Sequence, residues 1–192
     1  MELRQWRSVV PIRRRKDAQM PLLRGHRDQA SMTKYRMQEK LFAIGDDFWI
    51  ENEAGQRAFK VNGKALRVRD TLVLETPNGE ELFSIQAKAL HVRDTMNIER
   101  NGRQVASVKK ALVSPLRDRF SIDVDGGEDM EAKGNIVDHE YKIERDGNQV
   151  AEVSRRWFRV RDTYGVEIAP GQDDALVLAV VVCIDQMTHD VG

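Results

Sequence analysis

The chain has 192 residues, 32% charged and 41% hydrophobic, enough for one core that needs neither disulfide nor metal. Its 31 Lys/Arg balance its 31 Asp/Glu, and its one cysteine, Cys183, excludes an internal disulfide or a thiolate metal cluster and suits a reducing compartment. The neutral total hides a split, since residues 1–31 hold eight bases against three acids and leave 23 bases and 28 acids elsewhere; a net acidic body argues against nucleic acid as a partner.

Residues 1–31 show neither a strand nor a helix period and include Pro11, Pro21 and scattered arginines. They read as a poorly ordered basic leader, or as chain upstream of the natural start at Met32, with the folded domain at 32–192. No apolar stretch of signal-peptide character is present, and the longest apolar run, Ala175–Ile184, is ten residues, about half a membrane span. The expected location is cytoplasmic.

From residue 34 onward, alternating apolar segments are separated by Gly turns every ten or so residues, the mark of an all-β sandwich or barrel. The tetrapeptide VRDT occurs three times, at 68–71, 92–95 and 160–163. It belongs to a repeat whose units open at Ile44, Val68, Val92, Leu116, Val137 and Val160, spaced 24, 24, 24, 21 and 23 residues. Each unit runs from a turn into an alternating stretch that ends near an acid, then a Gly turn, then a second alternating stretch. The Gly turns are Ala54-Gly55, Asn78-Gly79, Asn101-Gly102, Gly126-Gly127, Asp146-Gly147 and Pro170-Gly171. Asn-Gly and Asp-Gly between alternating runs signal a two-residue hairpin, because both central residues of that turn need positive φ. In VRDT the Asp is placed to accept a backbone N–H and close a turn, and Arg69, Arg93 and Arg161 can pair with such carboxylates. Two strands in each of five units, a leading strand at Tyr35–Phe42 and a closing one at Tyr164–Ile168 give twelve, and long meanders tend to close because closure removes exposed edges.

The sixth unit ends differently, in DDALVLAVVVCIDQM without alternation. By composition this is a buried strand. Asp173 and Asp174 can instead cap a helix, which would have to be buried on every side and would fill a lumen too wide for wall side chains alone.

The hairpin repeats "LRVRDTLVLETPNGEELF", "LHVRDTMNIERNGRQV" and "PLRDRFSID", with the closing "ALVLAVVVCID", resemble the LURP-one-related proteins of the tubby C-terminal-like superfamily, over about residues 33–190. The resemblance implies an all-β fold with one helix: a twelve-stranded antiparallel closed β-barrel around a central hydrophobic C-terminal α-helix. Tubby domains bind phosphoinositide headgroups and scramblases act at membranes, so it also raises a lipid surface as a partner. No tubby headgroup motif matches residue by residue, and the scramblases' cysteine cluster and acidic calcium segment are missing.

Catalytic signals are sparse. His26, His91, His139 and His189 have no metal-ligand spacing, Cys183 sits in an apolar run with no basic neighbour, and no phosphate-binding loop or nucleophile elbow occurs. The paired carboxylates fall at turns or at a helix start. The expectation is a non-enzymatic binding or scaffold barrel without a cofactor; the alternative is a carrier or hydrolase working in the barrel lumen. One pattern survives as a candidate site. The segments GKALRVRD, AKALHVRD, KKALVSPLRD and RRWFRVRD place Lys64, Lys88, Lys110 and Arg156 just ahead of equivalent turns, with Lys109 and Arg155 doubling two of them and Trp157 and Phe158 alongside. Cations at one height of a barrel, next to an aromatic edge, are what an anionic headgroup at a membrane surface requires. The plainer reading is that they are solvated charges that discourage association.

Overall fold

A computed structural model describes residues 31–38, 47–64, 71–87, 95–111, 119–158 and 163–189 of the chain. Twelve strands form one antiparallel sheet: β1 (Thr33–Gln38), β2 (Phe48–Asn52), β3 (Arg57–Lys64), β4 (Thr71–Glu75), β5 (Glu81–Ala87), β6 (Thr95–Arg100), β7 (Arg103–Ala111), β8 (Arg119–Val124), β9 (Met130–Asn135), β10 (Glu140–Arg145), β11 (Asn148–Ser154) and β12 (Thr163–Ile168). Each strand pairs with its sequence neighbours, and β1 pairs with β12 to close a barrel. The expected strand count and closure are both found. Thr71, Thr95 and Thr163 are the first residues of β4, β6 and β12, so every VRDT ends where a strand begins. Its Val, Arg and Asp lie outside the described residues, as does the expected extension of the first strand to Phe42.

A meander of antiparallel strands has two unlike rims. At one rim, even-numbered strands turn into odd-numbered ones through short hairpins. Asn101 and Gly102 have φ of 53° and 74°, and Asp146 and Gly147 have 48° and 77°, as a two-residue hairpin requires. The register shifts just before four of these hairpins, at Ile50/Glu51, Leu74/Glu75, Ile98/Glu99 and Ile143/Glu144. In these four, the acid that ends the alternating run is the residue at which the ladder bulges, which bends and twists the wall. The other rim carries the connections from odd-numbered to even-numbered strands.

The terminal segment is a helix, α1 (Asp174–His189), about 24 Å long at the usual rise. Asp173 caps it, its side chain accepting from the Leu176 N–H at 3.0 Å. The wall holds that end in place: the Tyr35 hydroxyl donates to Asp174 at 2.8 Å, and Arg100 pairs with Asp173 at 2.9 Å. Val177, Val180, Val181 and Ile184 are essentially inaccessible and share one core with Ile50, Leu74, Phe83, Ile98, Phe120, Ile143 and Val166 of the wall. Composition favoured a strand here, but a strand buries its backbone polar groups only by pairing, and a closed sheet offers no edge to pair with. A helix satisfies its own backbone and fills the lumen. No helix among the described residues is long and apolar enough to cross a membrane.

Candidate functional site

The odd-numbered strands all run toward the second rim, and the candidate cations sit at their ends. Lys64 is the last residue of β3, Lys109 and Lys110 lie in the last three residues of β7, and Arg155 and Arg156 follow directly on β11. Lys88 and the Lys64 side chain lie outside the described residues.

Strand alternation separates the neighbouring lysines. Lys110 stands opposite the buried Phe120, whereas Lys109 stands opposite Ser121 and points outward, where it pairs with Asp123. Arg155 and Arg156 open a single 3₁₀ turn, Arg155–Trp157, whose first N–H contacts are closed by Ser154: its hydroxyl accepts from the Arg156 N–H at 3.2 Å. The same hydroxyl donates to Glu140 at 3.0 Å. Arg156 projects outward, its side chain 82% exposed, with one contact of 3.4 Å from Nε to Glu140. An exposed pair of that kind is worth about 0–1 kcal/mol, so Arg156 remains free to exchange partners.

Trp157 and Phe158 turn back onto the outer wall over Gly165. A Cβ at Gly165 would lie 2.6 Å from Trp157 Cε3 and 2.8 Å from Phe158 Cε2, so glycine is required for both rings to lie this close to β12. Trp157 nevertheless stays 40% exposed. At the same rim, Val137 in the β9–β10 turn is 60% exposed, and that turn is bonded to the 3₁₀ turn through the Arg155 N–H to the His139 carbonyl at 3.2 Å.

Arg155 faces the opposite way, into a buried polar group that the sequence did not reveal. His139 and Asp185 are each 2% exposed, with His139 Nε2 3.4 Å from Asp185 Oδ1. The Tyr164 hydroxyl donates to Asp185, and the His139 ring stacks on Tyr164 at 4.2 Å. Arg155 reaches His139 Nδ1 at 3.4 Å. Burial, and secondarily the charge of Asp185, holds the Tyr141 hydroxyl well above its ordinary pKa. This arrangement ties α1 to the β9–β10 turn, the 3₁₀ turn and β12. Its imidazole and carboxyl are enclosed, so it acts as an internal brace rather than as a base facing solvent. One signal was available in the sequence: an aspartate directly after ten apolar residues needs a buried partner. Cys183 is fully buried, and burial raises its thiol pKa far above the usual range. No three His, Cys, Asp or Glu side chains among the described residues could hold a metal ion.

The family model for LURP-one-related proteins matches residues 33–185. The chain belongs to the LURP-one-related family. The match begins at the first residue of β1 and ends at Asp185, so the whole barrel and most of its helix are family structure. An Arabidopsis thaliana protein solved by X-ray crystallography shares the fold, with a TM-score of 0.63 at 18% identity, over 82% of this chain and 91% of that one. Among curated proteins, none matches the chain. As a LURP-one-related protein it is a tubby-like barrel, with its lumen occupied by its own helix.

Proposed function

We propose that this LURP-one-related protein is a non-enzymatic binding barrel that attaches peripherally to membranes from the cytoplasmic side by recognising anionic phospholipid headgroups at its second rim. The observation that carries the reading is the pairing, on one short turn, of the 82% exposed Arg156 side chain with the 40% exposed Trp157. A guanidinium supplies directed donors to a phosphate, and an indole sits well at a water–bilayer boundary. Val137 adds an apolar tip beside them, and Lys110 adds a second cation at the same rim. A lumen filled by α1 supports recognition on the outer surface over a carrier or hydrolase working inside the barrel. The enclosure of His139 and Asp185 supports binding rather than catalysis.

The test is co-sedimentation with anionic vesicles after reversing two cations, Lys110→Glu with Arg156→Glu. Each basic residue near an anionic surface contributes about 1 kcal/mol, and each reversal adds repulsion, so partition should fall by well over about tenfold. Arg156→Glu alone should move thermal stability by no more than about 0.5 kcal/mol, because its side chain is exposed, whereas Lys110→Glu, opposite the buried Phe120, should cost more. Unmodified protein that ignores anionic vesicles even at low salt would refute the proposal.

A further inference from the structure

A cleft of about 300 Å³ opens on the outer wall where β1 and β12 close the barrel, lined among the described residues by Lys34, Tyr35, Glu53, Trp157 and Phe158. That volume is at the lower end for small-ligand sites. The cleft lies on the side of the wall and shares Trp157 with the second rim, but its charged lining residues, Lys34 and Glu53, are not among the rim's cations. Two rings, Trp157 and Phe158, form one flank because Gly165 lets them settle onto the sheet. On the other flank, Glu53 directly follows Asn52, which pairs with Tyr35. Glu53 therefore enters the β2–β3 turn just beyond the last paired residues, near the end of β1 that carries Lys34. Lys34 makes its ion pair with Glu167 at 3.3 Å rather than with Glu53.

The cleft thus offers an aromatic flank, one carboxylate and one ammonium among its described lining residues. We propose that it binds a phosphocholine-type zwitterion, with the quaternary ammonium between Trp157 and Glu53 and the phosphate on Lys34. A quaternary ammonium needs no hydrogen-bond acceptor and is held by an indole face and a nearby carboxylate. A primary ammonium would need up to three acceptors, and Glu53 is the one carboxylate among the described lining residues; the Tyr35 hydroxyl is already committed to Asp174.

Titration of the full chain with soluble phosphocholine and with choline, followed at the Trp157 indole N–H resonance, tests this. Both ligands should saturate. Glu53→Gln should weaken both by about tenfold, whereas Lys34→Gln should weaken phosphocholine by about tenfold and leave choline unchanged. Gly165→Ala, which pushes the rings off β12, should weaken both. Phosphatidylcholine vesicles give the second arm. Retention on them that soluble phosphocholine displaces identifies a lipid headgroup as the source, and saturation by soluble phosphocholine without retention identifies the free compound; either result supports the site. Absence of saturation in both arms, or affinities indifferent to Glu53→Gln and Lys34→Gln, overturns it.

Discussion

The two rims of the barrel are made by different kinds of rule. At the hairpin rim the turns are local: Asn-Gly and Asp-Gly supply the positive φ values, an acid marks each bulge, and Asp173 caps the helix that starts there, with Tyr35 and Arg100 as its long-range anchors. At the second rim the structure is made by residues far apart in the chain. His139, Arg155, Tyr164 and Asp185 meet there only because the barrel has closed around α1. Local rules build the wall, and the long-range brace holds the end that carries the exposed cation and aromatic. The two halves of α1 follow the same division, with an apolar plug leading into one aspartate that has to be paired.

The largest expected effect comes from attacking the plug. Val181→Asp puts a charge at an inaccessible position of α1. An unpaired buried ion costs several kcal/mol, against a total stability of about 5–15 kcal/mol, so the protein should be largely insoluble. Normal solubility with an unchanged thermal midpoint would show that the segment is not the core.

Breaking the brace should cost less. Asp185→Ala strips a partner from both Tyr164 and His139, leaving buried polar groups unsatisfied at a cost of about 3 kcal/mol. For a chain of this size the thermal midpoint should drop by roughly 10 °C, with the barrel intact by circular dichroism. A drop of only a degree or two would mean that the second rim is held by something other than this group.

The smallest effect is a pH dependence at the same end. An unfolded tyrosine loses its proton near pH 10, whereas Tyr141 keeps it well above that, because burial and then the Asp185 charge oppose the phenolate. Its contribution is complete below about pH 10 and is lost as pH rises through the folded value. Tyr35 and Cys183, also raised by burial, act in the same direction. The Tyr141 hydroxyl is buried without a hydrogen-bond partner, so Tyr141→Phe should be neutral or gain about 1 kcal/mol at pH 7 and should flatten the alkaline loss. Destabilisation of that variant at neutral pH, followed by urea titration, would contradict this assignment.

The same division explains what was legible in the sequence. The twelve strands and the Gly turns were readable because alternation and turn chemistry act over a few residues. The helix was not readable from composition alone. Valines and leucines without alternation suit a strand equally well, and only the resemblance to a helix-filled barrel distinguished the two. The cations at the strand ends follow from the repeat, since equivalent positions of odd-numbered strands reach one rim. Their directions do not: Lys109 and Lys110 separate to opposite sides of β7, and Arg155 turns inward while Arg156 turns out. The brace is not legible in local spacing, because His139 finds its partner 46 positions along the chain, at Asp185.

If the second rim, not the hairpin rim, meets an anionic bilayer, only that end of the barrel should be shielded by it. Hydrogen–deuterium exchange of the full chain with and without anionic vesicles at low salt compares the two rims in one measurement. Exchange should slow at the β9–β10 turn and at Arg155–Phe158, fading as added salt shortens the screening length from about 10 Å at 0.1 M, with the hairpins at Asn101-Gly102 and Asp146-Gly147 unchanged. Protection confined to the hairpins or to residues 1–31, or no protection anywhere, would contradict binding at the second rim.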